Sequence, residues 1–144
     1  MSVPPWRQQA IDKNHNRKGF NCRQATLATF LAQHAHQAHE SRAAKTYCAI
    51  YTADGSKVLG FNTITPGRIE MDRVPLAARP GGGGRHAVGG FQFGRLAVAK
   101  SWHGLGLGLG SQLLAMSVER CMRALAELGG TALMINEKDE AGVA

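Results

Sequence analysis

The stretch that decides the fold runs from Arg95 to Leu114 and reads RLAVAKSWHGLGLGLGSQLL. Apolar Leu96, Ala97 and Val98 follow an arginine, a short polar connector intervenes, and glycine then takes every second position from Gly104 to Gly110. Beyond it Leu114, Val118, Cys121, Leu125 and Leu128 recur at the spacing of one helical face, with Glu119, Arg120, Arg123 and Glu127 largely away from it. A strand that turns through glycines into a long helix presents that helix's unpaired N–H groups and positive dipole end. Glycine lets the backbone itself approach an anion there, so the stretch reads as a phosphate cradle at a helix mouth.

Two familiar cradles do not fit the spacing. A Walker loop ends in Gly-Lys-Ser/Thr, whereas Gly110 is followed directly by Ser111. A dinucleotide fingerprint requires G-x-G-x-x-G, and the third glycine is replaced by Leu109 when counted from Gly104 and by Ser111 when counted from Gly106.

Working outward, GGFQFGRLAVAK predicts a strand over about Phe91–Val98, the helix runs from about Gly108 to about Leu128, Gly129-Gly130 stops it, and TALMIN closes as another strand. Upstream, WRQQAI is a short first strand and DKNHNRKGFNC a loop. RQATLATFLAQHAHQAHE has helical spacing over about Gln24–His39. KTYCAIYT and KVLGFNTI are two antiparallel strands around the Asp54-Gly55 turn signal. From Thr65 to Gly90, Pro66-Gly67, Pro75, Pro80 and Gly81–Gly84 predict turns and a loop. The order strand, helix, hairpin, loop, strand, helix, strand is that of an α/β domain with a mixed sheet.

The 144 residues are expected to form a single domain, 1–144, with 44% hydrophobic and 19% charged residues typical of a globular protein. No apolar run is long enough to span a bilayer, and the N-terminus lacks the apolar core of a secretory signal, so no membrane partner and a cytoplasmic location are expected. Cys22, Cys48 and Cys121 are widely spaced and odd in number, which fits reduced, buried thiols better than a disulfide framework or zinc knuckle. Seventeen Lys and Arg against ten Asp and Glu give a net charge of +7, which favours a polyanionic partner. In HAHQAH, His36 and His39 share a helical face but His34 points elsewhere, so three ligands do not converge and no metal site is expected.

The Gly-Leu stretch resembles the Q/R-x-x-G-x-G/A loop of the GNAT N-acetyltransferases, where a strand with an apolar triplet runs into a loop at the start of a long helix. His103-Gly104-Leu105-Gly106-Leu107-Gly108 fits that pattern with His at the Q/R position. The extra Leu109-Gly110 leaves a second register, Leu105 to Gly110, open. FNCRQATLATFLAQHAHQAHESRAAKTYCAI, VLGFNTITPGRIEMDRVP and GSQLLAMSVERCMRALAELGGTALMINEKDE widen the resemblance to the GNAT toxins of type II toxin–antitoxin systems, over nearly all of the chain from Phe20 onward. The resemblance implies a GNAT acyltransferase fold, with a mixed, mostly antiparallel central sheet flanked by helices. It further implies an enzyme that moves acetyl from acetyl-CoA (coenzyme A) to the α-amino group of aminoacyl-tRNA and so blocks translation, with a ribbon-helix-helix antitoxin and a homodimer as partners.

By position, the resemblance implies that the backbone of Leu96, Ala97 and Val98 holds the pantetheine arm, and that His103, Gly104, Leu105, Gly106, Leu107, Gly108, Leu109, Gly110 and Ser111 surround the pyrophosphate. The family's general-acid tyrosine lies in an F/W-Y pair that would fall just past Ala144, so no catalytic residue is assigned. Tyr47 and Tyr51 do not match its position, and the chain is expected to lack the final helix and strand pair. Asp139 stands where the family often has an asparagine that helps bind the cofactor. The alternative implied by these departures is a catalytically silent remnant that binds CoA, dimerises or binds the antitoxin. For tRNA, the flanks of the glycine run (Arg73, Arg79, Arg85 and His86) are the first candidates, and Arg17, Lys18, Arg42 and Lys45 a second patch.

Overall fold

The β-rich runs pair in chain order into one sheet. In the computed structural model, which describes residues 5–70, 87–102, 108–130 and 132–135, the strands are β1 (Trp6–Ala10), β2 (Lys45–Tyr51), β3 (Val58–Glu70), β4 (Ala87–Val98) and β5 (Ala132–Ile135). The first four are antiparallel neighbours, and β5 lies parallel to β4. Helices α1 (Ala25–Gln33) and α2 (Ala35–Glu40) connect β1 to β2, and α3 (Leu109–Leu128) makes the crossover that a parallel β4–β5 pair requires.

Alternation along β2 assigns the two faces. Cys48 and Ile50 point to the face covered by α1 and α2, where they join Phe20, Leu31, Ala35, Phe61 and Ala97 in an apolar cluster. Ala49 points to the other face with Leu59 and Val98, against Leu109 and Leu113 of α3. Further along α3, Cys121 meets Ile64 and Phe93. All three cysteines are buried free thiols, as the sequence predicts.

Three expectations change in the structure. The helix expected over Gln24–His39 breaks at His34 (φ −125°, ψ −30°), so that α2 restarts with fully buried Ala35 and carries His39 to Thr46, whose N–H donates to His39 Nδ1 at 3.1 Å. Pro66-Gly67 does not end a strand: β3 continues to Glu70 and pairs with a β4 that starts at Ala87, four residues before the expected start. Pairing with β2 stops at Lys45↔Ile64, so from Thr65 onward β3 is an edge on that side, where a proline costs no ladder bond.

The third change is in α3. Its buried positions are Leu109, Leu113, Ser117 and Cys121, while Leu128 is 83% exposed. The buried stripe is rotated from the apolar one because the middle of the helix is seated by a polar contact, between Ser117 and Asn62 of β3. No helix among the described residues is long and apolar enough to cross a membrane.

Candidate functional site

The site is built where β4 leaves β5 and turns toward α3. The β4–β5 register runs from Gly90↔Ala132 to Phe93↔Ile135. Immediately after it the β3–β4 register slips, because Thr63 pairs with Arg95 while Ile64 pairs with Phe93 and leaves Gly94 as the extra residue of a bulge. Such a bulge bends the strand and re-aims its backbone groups. Past it, Leu96 and Ala97 remain paired to Asn62 and Phe61 on one side, and no described strand lies along their other side. Backbone N–H and C=O groups of an edge strand are ready donors and acceptors for an extended ligand.

At the end of β4, Ala99 N donates to Leu59 O at 2.7 Å, and Lys100–Trp102 form a single 3₁₀ turn. The Trp102 ring meets Trp6 edge-on at 5.9 Å and Tyr51 at 6.1 Å. This aromatic anchor ties the exit of β4 to β1 and β2, and the only sequence signal for it is a tryptophan inside a polar connector.

Helix α3 begins with Gly108 as its N-cap, at φ +67° in the left-handed region that favours glycine. Among the described residues no side chain caps the helix, and its first intrahelical bond is from Gln112 N to Gly108 O at 2.9 Å. The N–H groups of Leu109, Gly110 and Ser111 therefore have no acceptor among the described residues. An uncapped helix start with orphan donors is the arrangement that accepts phosphate oxygens.

The depth of that mouth is set one turn further in. A Cβ on Gly60 would lie 2.9 Å from Leu113 Cδ1 and 3.0 Å from Ala97 O, so glycine favours the close approach of α3 to β3 and β4 at this level. Two residues on, Asn62 Nδ2 donates to Ser117 Oγ, with both residues buried. One further turn along, Arg120 Nη2 donates to Gln8 Oε1 at 3.1 Å and its guanidinium lies 3.9 Å from the centre of the Tyr47 ring. These polar contacts span β1 to β3 and fix the rotation of α3. Arg120, expected on the outer side of the helix, is thus one of its anchors.

Of the expected coenzyme-binding residues, Leu96, Ala97 and Val98 lie on β4 beside the helix mouth. Gly108, Leu109, Gly110 and Ser111 form that mouth. His103, Gly104, Leu105, Gly106 and Leu107 lie outside the described residues, as do Arg73, Arg79, Arg85, His86 and Asp139. The second basic patch draws on two parts of the sheet. Asn16, just before Arg17 and Lys18, bridges Lys57 beyond one end of β2, whereas Lys45 opens β2 at the other end and donates to His39 O at 3.2 Å.

Neither Cys48 nor Cys121 is poised as a nucleophile: burial pushes the Cys48 thiol up to about 12 and raises that of Cys121. Tyr47 and Tyr51 are committed to Arg120 and Trp102. The histidine run is structural, with His36 3.3 Å from Glu40 and His39 accepting from Thr46.

No model of a known protein family matches the sequence. Solved structures do match the fold. A Tyr-to-Phe variant of KacT superposes with a TM-score of 0.84 at 22% identity, over 96% of this chain and 82% of that one. AtaT complexed with acetyl-methionyl-tRNAfMet gives 0.83 at 20% identity, over 94% and 80%. AtaTR bound with acetyl-CoA gives 0.80 at 21% identity, over 96% and 80%. The chain has the GNAT fold of these toxins. The sequence resemblance therefore named the architecture correctly, although about four residues in five differ.

Proposed function

We propose that this chain is an acetyl-CoA-dependent N-acetyltransferase domain, spanning residues 1–144, that acts on the α-amino group of aminoacyl-tRNA as a translation-blocking toxin. The observation that carries the reading is the junction of a bulged β4 edge at Leu96–Ala97 with the uncapped, glycine-led start of α3. Two kinds of donor, an extended strand edge and a helix mouth, suit a ligand that is an extended amide chain at one end and a diphosphate at the other. The complexes of AtaT relatives with acetyl-CoA and with acetyl-methionyl-tRNAfMet support the same assignment.

In this reading the backbone of Leu96, Ala97 and Val98 orients the pantetheine arm, and the amides of Gly108, Leu109, Gly110 and Ser111 receive the diphosphate with His103 to Leu107. The bound coenzyme supplies an activated acetyl thioester. Backbone N–H groups of β4 would donate to the thioester oxygen as charge develops on it. An aminoacyl ester has an amine of lowered basicity, so a neutral nucleophile is available without a strong base on the protein. A ribbon-helix-helix antitoxin, a second copy of the chain and a cytoplasmic location belong to the same proposal. An antitoxin-bound AtaT and a KacTA–DNA complex among its structural neighbours support the antitoxin. For tRNA, Arg73, Arg79, Arg85 and His86 are retained as proposed contacts.

The test is acetyl transfer from labelled acetyl-CoA to methionyl-tRNA by this chain, alongside coenzyme binding by calorimetry. Transfer that is lost in Gly108→Val, where the left-handed φ of +67° is strained for a β-branched residue, supports the reading. Coenzyme binding without transfer would instead make the chain a CoA-binding module.

A further inference from the structure

A cavity of about 640 Å³ lies on the opposite side of the sheet from the start of α3. Its floor is Phe20, Val58 and Ala99, all members of the cluster beneath α1, whereas Leu109 at the head of α3 packs into the cluster on the other face. The two sites share the end of β4 but are separated by the sheet itself.

Three segments distant in sequence form the cavity's rim. Arg23 comes from the loop before α1, Lys57 from the β2–β3 turn, and Lys100 from the end of β4. All three side chains are exposed, and none has a carboxylate within 4.0 Å among the described residues. The single acid on the rim among the described residues, Asp54, is held by its own turn: Oδ1 accepts from Ser56 N at 2.9 Å and Lys57 N at 3.0 Å. Those bonds hold its carboxyl below the usual carboxylate range.

The neutral polar groups on the rim are donors as well. Asn16 Oδ1 accepts from Gly19 N at 3.3 Å and Asn21 Oδ1 from Arg23 N at 3.1 Å, so both carboxamide oxygens are engaged and both NH2 groups remain. The rim is also fastened by the backbone, with Asn16 N donating to Ser56 O at 2.8 Å and Lys100 N to Asn21 O at 2.5 Å. Arg23 itself sits at φ +72°, in the turn that its N–H closes onto Asn21 Oδ1.

The geometry points to this cavity as a binding site for the phosphate backbone of an RNA, set across the sheet from the coenzyme mouth. The inference deepens the aminoacyl-tRNA reading and rests on it. Three cations with no carboxylate partner among the described residues, together with amide donors on a preformed rim, suit phosphodiesters, which need point charges and N–H groups and no base-specific geometry. The apolar floor leaves room for a sugar edge. An RNA held here would lie against the face of β4 away from α3, leaving the helix mouth free for the coenzyme.

The experiment measures the affinity of deacylated tRNA as a function of salt for the wild-type chain and for Arg23→Asn/Lys57→Ala/Lys100→Ala; asparagine is chosen because it tolerates a positive φ. A control variant, Arg7→Ala/Lys13→Ala/Arg123→Ala, removes the same charge from exposed sites elsewhere. Loss of three phosphate contacts lowers the slope of log K against log salt by about 2 to 3, and weakens binding at 0.1 M salt at least about tenfold. The control keeps the wild-type slope to within about one unit, and thermal melts establish that both variants fold. Equal slopes in the wild type and the rim variant overturn the inference, as does a rim variant that loses acetyl-CoA affinity and keeps its tRNA slope. The acceptor reading fails separately: no acetyl transfer to methionyl-tRNA by the wild type, with the slope difference intact, removes the enzyme and leaves the RNA site.

Discussion

The two faces of the sheet are held in different ways. Beneath α1 the core contacts are mostly apolar and interchangeable in kind, with polar contacts such as Thr46 N to His39 Nδ1 confined to the α2 end: Leu31, Ile50 and Phe61 are buried, and the Phe61 ring meets Phe20 edge-on at 5.5 Å and lies over Phe30 at 6.3 Å. On the α3 face the decisive contacts are singular, namely the absent Cβ of Gly60, the Asn62–Ser117 bond and Arg120 between Gln8 and Tyr47. Apolar burial supplies stability without choosing a rotation, because it is non-directional. Hydrogen bonds and a close backbone approach choose one rotation of the helix. The face that aims the start of α3 at the β4 edge is thus the one fixed by directional contacts.

The comparison is broken most severely by Phe61→Ala. Truncating this fully buried ring should cost about 3 to 5 kcal/mol in denaturant melts. It should leave coenzyme affinity near wild type in whatever fraction remains folded. A large affinity loss there would mean that the α1 face also aims the helix mouth.

Gly60→Val comes next, at about 1 to 3 kcal/mol, since its added Cβ crowds the buried tip of Leu113, which must change rotamer, and the Ala97 carbonyl, which gives only if β4 shifts. Here the loss of coenzyme affinity should exceed that in Phe61→Ala, despite the smaller loss of stability. Calorimetry against melting data separates the two.

A double-mutant cycle on Asn62→Leu and Ser117→Ala sharpens the polar part. Asn62→Leu alone strands a buried hydroxyl and should cost about 1 to 3 kcal/mol, while the double replacement should recover much of it. Simple additivity in the cycle would show that the bond carries no coupling.

The smallest effect belongs to acid, and to the α1 and α2 side. His15 Nδ1 accepts from Asp12 N at 3.0 Å, which leaves Nε2–H to donate to Gln9 Oε1 at 3.2 Å. His39 Nδ1 accepts from Thr46 N. Both rings are therefore neutral in the fold, and burial holds both below the ordinary value of 6.5. A base with a lowered folded pKa binds fewer protons folded than unfolded. Its contribution is complete above pH about 6.5 and is lost as the pH falls through the folded value. Melting temperature should accordingly be flat from pH 8 to 7 and decline toward pH 5, with a shallower decline in His39→Gln.

Much of this molecule was legible from residue order. The end of a strand at Val98 and the bounds of α3 read correctly because their signals are local: an apolar triplet, a glycine at the helix start, and a 3.6-residue period. The extension of β3 through Pro66 was hidden, since proline signals a turn unless the partner on its donor side ends first, and that end is set by β2. The rotation of α3 was hidden too. Leu128 counts as apolar in any pattern, yet it is solvated while Ser117 is buried, because Asn62 waits across the gap.

By itself, then, the sequence determined the order of strands and helices and the glycine at which the long helix begins, for these are properties of neighbours along the chain. Tertiary structure alone decided which face of α3 meets the sheet, and how Arg23, Lys57 and Lys100 come to share one rim. Those three residues stand far apart in the chain, and no periodicity links them. Their meeting depends on the pairing of β3 with β4 and on the loop bonds from Asn16 and Asn21, which bring the three segments to one end of the sheet.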